Sequence, residues 1–197
     1  LNIAAQLIPI IGKRPRVLDW FDANMPQFLR LDLENETGRW HLIAVFNWDN
    51  QARDVSLSLD QFDLLPGDYF WREFWTGAGG LISGGQLDLE GIPAHGVKAI
   101  SLTPNPSPNG RGRPLYLGSD LHISQGLEIS DWRVSPTNGV CFKLVRPGKA
   151  VGEIELYLPE SPERIFLNEK EVSWQSLGEQ RYRIQVEFKK FAEVEIK

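Results

Sequence analysis

The sequence predicts an all-β chain made of two antiparallel β-sandwich domains, and three observations carry that expectation. Apolar residues recur with a period of two along most of the chain, as half-buried strands require. Turn-forming clusters divide these runs at short intervals: Glu36-Thr37-Gly38, Pro66-Gly67-Asp68, Gly84-Gly85, Asn138-Gly139, Pro147-Gly148 and Leu177-Gly178-Glu179. Helical periodicity is nearly absent. Only residues 1–8 could be helical, and they read as the end of a preceding element. Many short strands at this spacing point to sandwiches.

In chain order, the first strong strand is Trp40–Asp49. Trp40, Leu42, Ala44, Phe46 and Trp48 face one way; His41, Ile43, Val45 and Asn47 face the other. Both faces are mostly apolar, so the strand is expected to be central and covered on both sides. His41 is read as a satisfied imidazole at the edge of the core. Asn35-Glu36-Thr37 spells a glycosylation acceptor, but beside Gly38 it reads as turn chemistry. Val55, Leu57 and Leu59 then alternate with Ser56, Ser58 and Asp60. In Tyr69–Trp75, Tyr69, Trp71, Glu73 and Trp75 share a face, and Phe70, Arg72 and Phe74 share the other. Arg72 and Glu73 therefore point apart and are no catalytic pair. Gly79-Gly80…Gly84-Gly85 lacks the Lys-Ser/Thr of a phosphate loop and reads as a hairpin connection. Leu87 and Leu89 alternate with Asp88 and Glu90.

Thr103–Pro114 holds four Pro, two Gly and no apolar side chain. Proline removes backbone donors and blocks helices, so residues 104–113 read as an exposed Pro/Gly/Asn linker. The stretch also resembles short translated repeat elements of some bacterial genomes. Charge changes across it: residues 1–103 carry 8 basic and 13 acidic groups, and 104–197 carry 13 of each. The expected domains are 1–103 and 114–197, the second in immunoglobulin-like style. There Ile154, Leu156 and Leu158 alternate with Glu153, Glu155 and Tyr157. Tyr182, Ile184, Val186 and Phe188 alternate with Arg181, Arg183, Gln185 and Glu187.

Composition narrows the function. At 197 residues the chain suits one large domain or two small ones. With 42% apolar and 24% charged residues it is not a disordered chain. A net charge of −5 argues against a nucleic-acid or membrane-surface partner. The longest apolar run, Leu42–Phe46, is far short of the ~20 residues of a membrane span. The single cysteine, Cys141, excludes an intrachain disulfide framework and a cysteine-based zinc site. The three histidines, His41, His95 and His122, show no ligand spacing, and no cofactor is expected. No signal peptide opens the chain, which favours the cytoplasm. The chain begins at Leu1 and its only Met is Met25, so it reads as a piece of something longer.

No active site is recognisable. There is no Gly-x-Ser-x-Gly elbow, and paired carboxylates exist by count alone. What stands out is the aromatic load of seven Trp, ten Phe and four Tyr. Aromatic rings either fill the space between two sheets or stack on the C–H faces of sugars. The candidate sugar contacts are Trp48, Trp71, Trp75 and Trp132. For Trp71 and Trp75 the core is the expected fate, because Phe70 and Phe74 lie on the opposite face.

The landmarks form an ordered series: Leu7-Ile8-Pro9, Val17-Leu18-Asp19-Trp20-Phe21, Trp40–Asp49, Tyr69–Gly77, then Ile92-Pro93-Ala94-His95-Gly96 leading into Val97–Leu102. This series resembles the C-terminal β-sandwich that follows the catalytic barrel in α-galactosidase-type glycoside hydrolases, the clan of families 27, 31 and 36. Leu117–Gly126 is similar to a segment of long bacterial members. The resemblance covers about residues 5–130; the last third shares only the general style. It implies a retaining parent enzyme whose two catalytic aspartates sit at strand ends of a (β/α)₈ barrel. That barrel needs about 250 residues, which this chain does not contain.

The leading expectation is therefore a non-catalytic accessory region that packs on and stabilises an upstream catalytic barrel, with apolar Leu1–Ile11 as the seam. It could also support a homo-oligomer. The rivals are a carbohydrate-binding module and a bare immunoglobulin-like interaction domain. Exposure of two or more coplanar Trp rings separates them.

Overall fold

The computed structural model describes residues 7, 12–21, 24–106, 112–136 and 138–197. The expected helical segment and seam at the N-terminus, and most of the expected linker, lie outside these residues. The described chain forms two compact units, one from Ile10–Leu33 and Arg39–Asn105, the other chiefly from Pro106–Lys197. Every strand pair whose register is described is antiparallel. The one helical element among the described residues is a 3₁₀ turn at Leu59–Phe62. The all-β expectation holds.

In the first unit the strands are β1 (Arg16–Val17), β2 (Phe28–Asn35), β3 (Gly38–Phe46), β4 (Arg53–Ser58), β5 (Tyr69–Glu73), β6 (Gly79–Ile82), β7 (Gln86–Ile92) and β8 (Val97–Pro104). Six of them make one sheet in the order β1-β2-β3-β8-β5-β6, and β4 pairs β7 in a second. The alternation read from sequence builds the core between them. Ile43 and Val45 of β3, Ile100 and Leu102 of β8 and Tyr69 of β5 meet Leu57, Leu87, Leu89 and Ile92 of the smaller sheet. Phe62 of the 3₁₀ turn, fully buried, closes one side. That turn starts on a reciprocal cap: Ser58 accepts from Asp60 N, while Gln61 Oε1 accepts from Ser58 N at 2.8 Å.

Two sequence expectations need correction here. The aromatic strand stops at Glu73 instead of running through Trp75. Glu73 Oε2 accepts from the backbone N–H and the hydroxyl of Thr76, at 2.7 and 2.6 Å, and Gly77 N donates to Glu73 O. Gly77 takes a positive φ of 65°, which closes the turn. Trp75 is thereby carried out of the sandwich and is half exposed, so it is not a core residue. The second correction concerns Gly79-Gly80, which lie in β6 directly opposite Arg72 and Trp71; Ser83–Gly85 alone connects β6 to β7, and because these strands lie in different sheets the connection is a crossing between layers, not a hairpin. At the other end of the unit, β8 runs through Pro104, opposite Tyr69, one residue into the stretch read as linker.

The second unit contains β9 (Leu115–Ser119), β10 (Ile129–Val134), β11 (Val140–Tyr157), β12 (Ile165–Leu167), β13 (Lys170–Glu171), β14 (Trp174–Gly178) and β15 (Arg181–Ile196). Its frame is the long ribbon of β11 and β15. Register breaks between Val145 and Lys149, and on either side of that break the ribbon gathers different partners. One half takes β10 and β12, the other β9 and β14. Phe142, Leu144, Ile154 and Leu156 of β11 and Ile184, Val186, Val194 and Ile196 of β15 line one core. A bulge of this kind lets one strand serve both layers. Glu155, read from sequence as a solvent-facing partner of Ile154, is fully buried. Arg181 Nη1 lies 2.9 Å from its Oε1 and Arg183 Nη2 3.4 Å from its Oε2, which is what makes the burial tolerable.

Candidate functional site

The best-defined surface feature of the first unit is built around Asn47, which is completely buried. Its Nδ2 lies within 2.8–3.0 Å of the carbonyl oxygens of Gln51, Ile92 and Pro93, and its Oδ1 accepts from Asp49 N at 3.0 Å. Asn47 N donates to Gly96 O, and His95 N donates to Asp49 O. One amide thus latches the Asn47–Gln51 loop to the Pro93–Gly96 turn. His95 adopts a φ of 52°, and its Nε2 meets Asn50 Oδ1 at 2.9 Å. Gly96 is required where it stands, since a Cβ there would come within 2.9 Å of Pro93 O. The Asn-Trp-Asp and Pro-x-His-Gly landmarks are two halves of one locked corner.

That corner holds Trp48 at the surface. Its indole N–H donates to Pro26 O at 2.8 Å, and its ring lies parallel to Phe46 at 5.3 Å with 2° between planes. Trp48 is 39% exposed. The preceding loop is tied down by Asp19, whose carboxylate accepts from Gln27 N at 2.7 Å and Phe28 N at 3.3 Å. Phe46 N donates to Gln27 O, so this loop and the Trp48 corner are directly joined. The same loop carries Trp20 at 64% and Phe21 at 95% exposure, with Met25 half exposed. Trp20, Phe21 and Met25 are thus three exposed apolar side chains on one loop, which is tied to the strand that carries Phe46.

The other Trp candidates separate. Trp71 is half-buried against the first core. Trp132 is half-buried against the second, its ring 5.1 Å from Phe142. Trp75 is half exposed on its turn, edge-on to Phe74 at 5.5 Å. Trp20, Phe21 and Met25 were not among the sequence candidates. Val17–Phe21 was legible as a landmark, but nothing in its spacing marks which side of the loop faces water.

A partly buried polar cluster joins β2 and β3: Arg30 and His41 are buried, and Asp32 is half exposed. Arg30 donates through Nε to Asp32 at 2.7 Å and through Nη1 to Phe62 O and Asp63 O. His41 Nδ1 donates to Asp32 Oδ1 at 2.5 Å. Burial holds the His41 imidazole below its usual range, against the pull of the Asp32 hydrogen bond and with the help of the Arg30 charge. Burial alone would raise the Asp32 carboxyl, but hydrogen bonds from Arg30 and His41 outweigh it and hold the group low. The cluster staples β2 to β3 and the 3₁₀ turn. His41 is the satisfied imidazole expected from the sequence.

What the fold defines is an antiparallel β-sandwich module with an apolar loop end. Residues 31–102 match the family model of the alpha galactosidase C-terminal beta sandwich domain, from within β2 to within β8. The resemblance read from the sequence is thereby shown over those residues, and the region is similar to the C-terminal accessory domain of a glycosidase. A GH27 β-L-arabinopyranosidase from Geobacillus stearothermophilus is 22% identical, over 51% of this chain and 20% of that one, with a TM-score of 0.35. Alpha-galactosidase I from Mortierella vinacea is 16% identical, over 47% of this chain and 23% of that one, with a TM-score of 0.34. The chain spans less than a quarter of the length of either protein. Comparison with curated proteins gives no match.

Proposed function

We propose that this chain is the non-catalytic C-terminal accessory region of a retaining, α-galactosidase-type glycoside hydrolase, and that it packs on and stabilises an upstream catalytic barrel. The family match over residues 31–102 carries the reading. The apolar loop end supplies a means: Trp20, Phe21 and Met25 are side chains that a neighbouring domain would cover. Catalysis belongs to carboxylates of the barrel, so the 197-residue chain alone should not turn over nitrophenyl α-galactoside. Turnover that a point mutation within the chain abolishes would defeat the proposal.

A second reading, carbohydrate contact, is favoured at Trp48 by one observation. The ring is clamped by its indole hydrogen bond and backed by Phe46, and an immobilised, partly open aromatic face suits a sugar. Retention of the chain on a galactan column, lost in Trp48→Ala with melting unchanged, would favour this reading.

A further inference from the structure

The long ribbon of the second unit carries a surface feature that the accessory role does not use. At its bend, Arg146-Pro147-Gly148 is an insertion in β11 between the register pairs Val145↔Phe191 and Lys149↔Lys189, opposite Lys190 alone. Lys190 sits at φ 70°, in the left-handed region, at the irregularity of the ribbon. Four cationic side chains, Arg146, Lys149, Lys189 and Lys190, therefore crowd one corner of a chain whose net charge is −5.

Arg146 is half-buried with the Glu128 carboxylate acting on it, but packing does not account for the three lysines. Lys149 and Lys189 stand directly opposite each other, an arrangement that costs stability. Lys149 is offset by Glu187 at 2.5 Å, whereas Lys189 and Lys190 have no ion-pair partner among the described residues. Glu193, the nearest acid beyond Phe191 along β15, lies 3.8 Å from Lys143. Next to the cations, Val145 and Phe191 form a cross-strand pair on the outer face, 48% and 57% exposed. An open aromatic ring bordered by unpaired ammonium groups fits a ligand with flat C–H faces and regularly spaced negative charges.

We infer that this corner binds an anionic polysaccharide, with Phe191 taking a sugar face and Lys189 and Lys190 taking its carboxylate or sulfate groups. The choice of a glycan among polyanions rests on the glycosidase reading above; the charge and geometry stand without it.

Affinity electrophoresis of the 197-residue chain in gels containing polygalacturonate tests the inference. Neutral galactan, polyphosphate and phosphatidylserine vesicles serve as comparisons. Polygalacturonate should retard the chain, and retardation should fade as salt shortens the reach of the charges. Lys189→Gln/Lys190→Gln should weaken binding about tenfold, the scale of two exposed ion pairs. Phe191→Ala should weaken it by up to about tenfold, as loss of an aromatic contact does. All three residues are exposed, so Phe191→Ala should melt like the parent, and the lysine variant should melt at or slightly above it because the Lys149–Lys189 repulsion is relieved. No retardation, retardation indifferent to either variant, or equal or stronger binding to polyphosphate or to the vesicles would overturn the inference. Because it is read on this chain alone and at the second unit, its failure leaves the accessory role untouched. Failure of that role in turn leaves the binding result standing.

Discussion

Asn47 is the residue on which the Trp48 corner depends. Replacing it with Ala strands the carbonyls of Gln51, Ile92 and Pro93 and the Asp49 N–H. Unpaired buried polar groups cost about 1–3 kcal/mol each, and with partial relaxation Asn47→Ala should lose roughly 2–4 kcal/mol in urea unfolding. Trp71 and Trp75 should now behave differently from each other. Trp71→Ala removes a half-buried ring from the core and should cost about 3 kcal/mol, whereas Trp75→Ala should cost less than about 1. Equal costs would contradict the end of β5 at Glu73. Nothing in the alternation of Tyr69–Trp75 reveals that end. The signal is the Glu73–Thr76 side-chain cap, which the alternation does not record.

Acid should act through the Arg30–Asp32–His41 cluster in two stages. The folded state holds His41 below the ordinary value of about 6.5, so the unfolded chain binds that proton first. Stability is then full above that value and declines as pH falls below it, because a protonated imidazole would face Arg30 Nη2 at 3.4 Å. Asp32 is also held low, so its contribution persists further down and is lost as pH falls through its folded value. Urea midpoints measured from pH 7.5 to 2 should fall in both stages, the lower one beginning below the ordinary carboxylate value of about 3.8, and Asp32→Asn should remove that lower stage. A flat profile above pH 4 would contradict the cluster as described.

At the scale of elements, the β11–β15 ribbon contains both the most and the least legible parts of the fold. Ile154, Leu156, Ile184 and Val186 fall on the core side as period-two alternation places them. Glu155 does not behave as that pattern implies, because alternation assigns every carboxylate to solvent and cannot foresee the guanidiniums of Arg181 and Arg183 meeting it. Glu155→Ala removes the buried partner of Arg181 and leaves it only the half-exposed Glu179 at 3.3 Å, so it should cost about 3 kcal/mol, the low end for a broken buried pair. Glu155→Leu combined with Arg181→Met should recover much of that loss. A double variant no better than the single would show that the pair is not what stabilises the burial. The loop end of the first unit was illegible for a related reason. Trp20 and Phe21 look like core residues by type, and only the Asp19 anchor, formed through backbone N–H groups of Gln27 and Phe28, leaves them outside.

At the scale of the molecule, two compact units and a Pro-rich connection together predict how proteolysis should proceed. Trypsin should cut near Arg111 or Arg113 and leave two folded pieces, since this stretch has no apolar anchor and few backbone donors. Resistance there, with unfolding only as a whole, would contradict two independently folded domains. The central claim, that the apolar loop end docks on and stabilises a catalytic domain, is tested most directly by calorimetry. The protein extended upstream to include that domain would be compared with its Trp20→Ser/Phe21→Ser variant. Both side chains are exposed in this chain, so the isolated 197 residues should melt alike in either form. In the extended protein the catalytic transition should fall by several degrees, each kcal/mol of lost contact being worth about 2–4 °C in a domain of 150–250 residues. An unchanged catalytic transition would contradict the account.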